Sequence, residues 1–205
     1  MGIETPNGYE FSAAGKLYLC ADRFIRPGTM LNGYPAPSGA KVNRNELADA
    51  VVLVTLDWLD ANHYAQLWQD QVRALLGSRT VLRVRALYSD APGFTGRFLQ
   101  ATSWKDADLI ELLGRLMPYD KAPAIPFLDG VSQEFVEAGI LTRGGYGAHG
   151  NVWNAEWLDY LVDAWSPEVY DALNRAMARP DRAIAENNLG VAFQLSIPRD
   201  DDIDD

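Results

Sequence analysis

The sequence predicts an α+β protein, a mostly antiparallel sheet built from two hairpins and a C-terminal strand, with four to six helices packed on it. Three observations predict it. Alternating apolar and polar residues over 9–12 and 16–24, and again over 80–88 and 94–102, form two pairs of segments joined by short turns. Long stretches between and after them carry apolar residues three and four apart, the period of a helix with one buried face. A last alternating run occupies residues 191–197.

In the first hairpin, Ala13-Ala14-Gly15 makes the turn, placing Leu17, Leu19 and Ala21 on one strand face and Tyr18, Cys20 and Asp22 on the other. Residues 26–43 then hold Pro27, Gly28, Gly33, Pro35, Pro37 and Gly39 and read as a long loop. Long loops in compact domains carry function disproportionately, and the interspersed Met30, Leu31 and Tyr34 make this one a candidate interaction arm. Residues 47–58 read as a helix because Leu47, Val51, Val54 and Trp58 share a face; their β-branched content keeps a buried strand as the alternative. Asp60 caps a further predicted helix that buries Tyr64, Leu67, Trp68 and Val72 and stops at Gly77.

The strand over 80–88 sets Leu82, Val84, Ala86 and Tyr88 against Arg83 and Arg85, and Ser89-Asp90-Ala91-Pro92-Gly93 turns it into its partner. Ser103 with Asp106 resembles a capping box for a helix through Leu109, Leu112, Leu113 and Leu116, stopped by Pro118. Residues 121–130 are a connector and 132–138 a short helix closed by Gly139. Asn154 is a suitable N-cap for a helix on which Trp153, Trp157, Leu161 and Trp165 form one apolar stripe. Ser166-Pro167-Glu168 starts the next helix, Asn187-Asn188 makes a turn, and the strand over 191–197 follows.

The most distinctive segment lies between these helices. Gly145-Tyr146-Gly147-Ala148-His149-Gly150 fits the G-x-G-x-x-G spacing that cradles a pyrophosphate at a helix start, but it lacks the long buried strand that must precede it and the second strand that must follow. Glycines that supply positive φ in a tight connection account for the same letters. His149 is the candidate acid, base or metal ligand of this 144–150 loop if the chain is an enzyme. On the helix beyond it, Glu156, Asp159 and Asp163 recur on one face and form a candidate docking surface for a basic partner.

Residues 1–198 fit a single domain, with 199–205 as an acidic tail. A net charge of −10 and a pI near 4.6 argue against direct contact with nucleic acid or an anionic membrane and favour basic protein partners. Arginine outnumbers lysine 14 to 4, which suits ion pairs in a core or an interface. The lone Cys20 permits no internal disulfide and reads as a buried, inert thiol, and a cytoplasmic setting is expected. No apolar run is long enough to span a bilayer.

No nucleophile elbow, phosphate-binding lysine loop or Cys/His cluster is present, so neither a cofactor nor a metal is expected. Asp57, Asp60 and His63 lie three apart on a predicted helix, but with no fourth ligand a helix cap and a surface histidine explain them. The expected function is a non-catalytic acidic binding protein that occludes a basic protein partner, through Glu156, Asp159 and Asp163 and through Met30, Leu31 and Tyr34. In being acidic and aromatic-rich the chain is similar in type, without a shared motif, to bacterial toxin-immunity proteins. The alternative is a phage or other particle protein that self-associates into a homo-oligomer. A third is a small enzyme using the 144–150 loop.

Overall fold

The computed structural model describes residues 8–74, 77–102, 106–117, 124–142, 152–153 and 155–194. The fold is α+β with antiparallel pairing throughout, as predicted, but several segments change type. Eight helices and seven strands lie among the described residues. The strands form three small sheets, and the buried apolar side chains form one hydrophobic cluster.

Helix α3 (Arg44–Ala61) runs through the centre and touches four other helices and two strands. Asn43 caps it, its side-chain oxygen accepting from the Asn45 and Glu46 amides at 3.2 Å each. From Leu47 to Leu59 nearly every side chain is buried, so Val51, Val52 and Val54 gain more from burial than their β-branching costs the helix. The helical reading of 47–58 therefore holds.

The first predicted hairpin is instead two helices, α1 (Ala13–Leu19) and α2 (Ala21–Phe24). Ser12 Oγ accepts from Gly15 N at 3.0 Å and caps α1, whose Ala14, Leu17 and Tyr18 recur at helical spacing and are all buried. The Pro/Gly segment then contributes β1 (Gly33–Pro35) and β2 (Lys41–Asn43), paired Tyr34 to Val42.

The helix expected after Asp60 is a strand. β3 (Ala65–Ala74) pairs without interruption with β4 (Gly77–Ala86), from Ala65↔Ala86 to Ala74↔Gly77, and β5 (Ala107–Asp108) adds to the far edge of β4. The strand predicted over 94–102 is the helix α4 (Gly93–Gln100), with Phe94 and Phe98 buried one turn apart. α5 (Leu109–Leu116) takes Asp108 as its cap, Oδ1 accepting from Glu111 N at 2.7 Å. Ser103 lies outside the described residues.

α6 (Ala124–Glu137) absorbs much of the expected connector. After it, β6 (Leu141–Thr142) pairs with β7 (Val152–Trp153). α7 (Ala155–Ala178) runs unbroken through Pro167, where a new helix was expected. α8 (Arg182–Gln194) replaces both the Asn187-Asn188 turn and most of the last strand. Its Asn188 side chain is buried against the sheet, accepting from Leu82 N at 2.8 Å and donating to Thr80 O at 3.1 Å. It thereby continues the β4 edge where β5 ends.

One buried carboxylate ties three helices together. Glu134 on α6 has no exposed surface, and its carboxylate accepts from Ser12 N at 3.0 Å, from Ser12 Oγ and from Phe94 N. These donors belong to the starts of α1 and α4, whose free amides and dipoles favour an anion. Burial raises the Glu134 pKa, opposed by the hydrogen bonds from Ser12 and Phe94. Gly93, at φ +50°, is required here, because a Cβ at that position would collide with the Glu134 carboxylate.

Candidate functional site

The arm centred on residues 28–33 is the most exposed apolar feature. Met30 and Leu31 are 98% and 91% exposed, far beyond any other large apolar side chain among the described residues. They sit on a fastened turn. Thr29 N and Thr29 Oγ1 both donate to Asn32 Oδ1, at 2.7 and 2.8 Å, and Leu31 N donates to Thr29 Oγ1 at 3.3 Å.

The base of the turn is held as firmly. Gly28 N donates to Lys41 O at 2.9 Å and Arg44 N to Asn32 O at 2.9 Å. A Cβ on Gly28 would lie 2.6 Å from Gly33 Cα, so the two limbs of the turn approach as only glycine allows. Arg26 at the rim is neutralised by Glu46 at 2.7 Å, and the exposed Lys41 is the next cation along β2. The turn is thus a preformed apolar knob with little conformational freedom left to lose on docking.

Tyr34 belongs to the core rather than to the arm's outer surface, a correction to the expected partner contact. It is 4% exposed, its hydroxyl donates to Asp129 Oδ1 at 2.9 Å, and the Tyr18 hydroxyl lies 3.2 Å away. Burial pushes its phenol well above the ordinary range. Its role is to anchor β1 beneath the knob.

The expected acidic face on α7 divides. Asp159 is exposed, and Asp163 is exposed but bound to Arg23 Nη2 of α2 at 2.6 Å. Farther along α7, Glu168 accepts from Lys16 Nζ of α1 at 2.7 Å. Part of the face therefore steadies neighbouring helices. The Glu156 side chain, His149, the 144–150 loop and the 199–205 tail lie outside the described residues. So do the Trp153 and Trp157 side chains, whereas Leu161 and Trp165 are buried as the stripe requires.

Asp57, Asp60 and His63 do not converge. Asp57 pairs with Arg175 at 3.2 Å and Asp60 with Arg179 at 3.1 Å, while His63 is exposed just past the end of α3 with φ 58°. No set of three or more His, Cys, Asp or Glu side chains among the described residues is arranged to hold a metal ion. These ion pairs, which join α3 to the end of α7 and the turn after it, form one side of an open groove of about 620 Å³ beside β3. Sequence spacing could not reveal it, because its residues come from three separate elements. Cys20 is buried, and burial pushes its thiol up to about 11, the behaviour of an inert core residue.

No protein-family model, curated protein or solved structure matches this chain. Among the described residues no helix is long and apolar enough to cross a membrane.

Proposed function

We propose that the chain is a protein-binding protein that docks on a protein partner through the Met30–Leu31 turn and acts by occluding it, its net negative charge favouring a basic partner. The observation that carries this reading is the near-complete exposure of Met30 and Leu31 on a turn fixed by its own hydrogen bonds. Each side chain forgoes roughly 1.5–3 kcal/mol by facing water instead of an apolar pocket. Neither is covered by any of the described residues, and a rigid pair of this kind is a suitable hot spot for a complementary pocket. The charge of −10 acts at longer range, raising the encounter rate with a basic surface.

The test is capture of the partner by the immobilised chain and by the double variant Met30→Ser/Leu31→Ser. The variant keeps the thermal midpoint of the parent, because both side chains contact solvent. Its affinity for the captured protein is expected to fall roughly 30-fold or more, the loss of about 2 kcal/mol or more typical of a hot spot. Equal affinity for the same protein would remove the turn from the interface and the reading with it.

A further inference from the structure

We propose that the open edge of β3 takes an extended, basic segment of a protein partner as an added strand, seated in the groove between β3 and the turn from α7 to α8. Which backbone groups face that edge follows from the far side of the sheet. Asn188 reaches Leu82 N and Thr80 O, so these residues of β4 turn their main chain away from β3. Opposite residues of an antiparallel pair share this orientation. Gln69 and Gln71, which pair with Leu82 and Thr80, therefore turn away from β4, and so does Leu67 two residues back. The bond from Leu87 N to Tyr64 O at 2.8 Å fixes the other parity, in which even-numbered residues face β4.

The outward amide of Gln71 is engaged by Asp70 Oδ1 at 2.8 Å. The outward N–H and C=O groups of Leu67 and Gln69 have no hydrogen-bond partner among the described residues. Leu67 and Gln69, with Trp68 between them, line the groove of about 620 Å³. Ala178 and Pro180 line it as well, from the turn that ends α7. β3 contains no proline, glycine or lysine, and its pairing with β4 carries no bulge, so its open stretch at Leu67 and Gln69 stays free to pair. Added strands gain main-chain hydrogen bonds from such an edge and specificity from the side chains beside it.

Charge selects the occupant. Asp57, Asp60 and Asp181 line the groove against Arg175 and Arg179. Arg179 is only 8% exposed and lies between Asp60 and Asp181, whereas the Asp60 side chain is 53% exposed. Three carboxylates against two guanidiniums leave the lining at a net −1, with the 57%-exposed Arg175 paired to Asp57, in a chain of net charge −10. A segment of about five residues, some 17 Å long when extended, covers this stretch. Small or β-branched residues would face Leu67, and lysine or arginine would face Asp60. This site is separate from the Met30–Leu31 turn and stands or falls without it.

The probe is a short fluorescent peptide of alternating valine and lysine, with the valine–glutamate peptide as control, followed by anisotropy and by amide hydrogen exchange on the full chain. The lysine peptide is expected to bind, more weakly at higher salt, and to slow exchange at Leu67 and Gln69 about tenfold or more. Trp68 and Asp70, already bonded to β4, should be unchanged. Gln69→Pro, which removes an outward N–H that β4 does not use, should abolish binding, and Asp60→Lys, outside the sheet, should weaken it. The Met30→Ser/Leu31→Ser variant should bind the peptide as the parent does. Equal binding of the glutamate peptide, or protection that spares Leu67 and Gln69, would overturn the proposal. So would protection of those amides by raising protein concentration alone, which would give the edge to a second copy of the chain.

Discussion

Glu134 brings a carboxylate into a region with no solvent contact, and its three donors make that burial tolerable. Glu134→Ala removes the acceptor and strands Ser12 N, Ser12 Oγ and Phe94 N; we expect a loss of about 3–5 kcal/mol, read from urea denaturation midpoints. A loss under about 1 kcal/mol would mean that the starts of α1 and α4 find other acceptors. Asp49 is the opposite case, a half-buried carboxyl of α3 raised from 3.8 to about 6 by desolvation, with Glu186 and Glu46 adding repulsion. Because its folded pKa lies above its unfolded one, the native state holds the proton more tightly, and stability falls as pH rises from about 4 through about 6. Asp49→Asn should therefore stabilise the fold by about 1–3 kcal/mol at neutral pH and by nothing below about pH 4. Thermal melts across that range check both the sign and the window.

At the scale of elements, Asn188 shows one helix completing the hydrogen bonding of a strand. Asn188→Ala would leave Leu82 N and Thr80 O unpaired on a buried edge. The expected cost is about 2–3 kcal/mol, with faster amide exchange at Leu82 as its local signature. The segments legible in the sequence were those whose pattern admits one period. Leu47, Val51, Val54 and Trp58 gave α3, the alternation over 80–88 gave β4, and the clustered leucines gave α5. α1 was missed because both of its sides are apolar, so Leu17, Leu19 and Ala21 alternate as well as they spiral; Ser12 as a cap was the available signal. β3 was missed because Leu67, Trp68 and Val72 fit a helix, and only pairing along the whole of β4 makes the strand the better solution. In α4 and α8, the four-residue steps Phe94–Phe98 and Ala185–Leu189 were readable but lost to turn residues nearby.

For the molecule as a whole, charge and apolar contact are divided between different regions. Asp159 is exposed, whereas Asp163 and Glu168 bind cations of α1 and α2. Steering by the net charge then predicts that the association rate with a basic partner falls about tenfold or more between low and high salt, while dissociation, governed by the knob, changes little. Stopped-flow binding at several ionic strengths separates the two, and a salt-independent association rate would remove charge from the recognition. Met30 and Leu31 were legible as contacts because large apolar residues in a Pro/Gly-rich segment have few ways to be covered. Tyr34, three residues on, was not, since only the fold places Tyr18 and Asp129 around its hydroxyl. The groove was illegible for the same reason, being assembled from α3, β3 and α7.

The Glu134 junction also bears on the order in which the chain can mature during synthesis. α1 leaves the ribosome before α6, and the carboxylate that holds its first turn is added more than a hundred residues later, after α3, the β3–β4 ribbon and α4. Until α6 emerges, the beginnings of α1 and α4 lack their shared acceptor, and the nascent apolar surfaces of both remain for chaperones to cover.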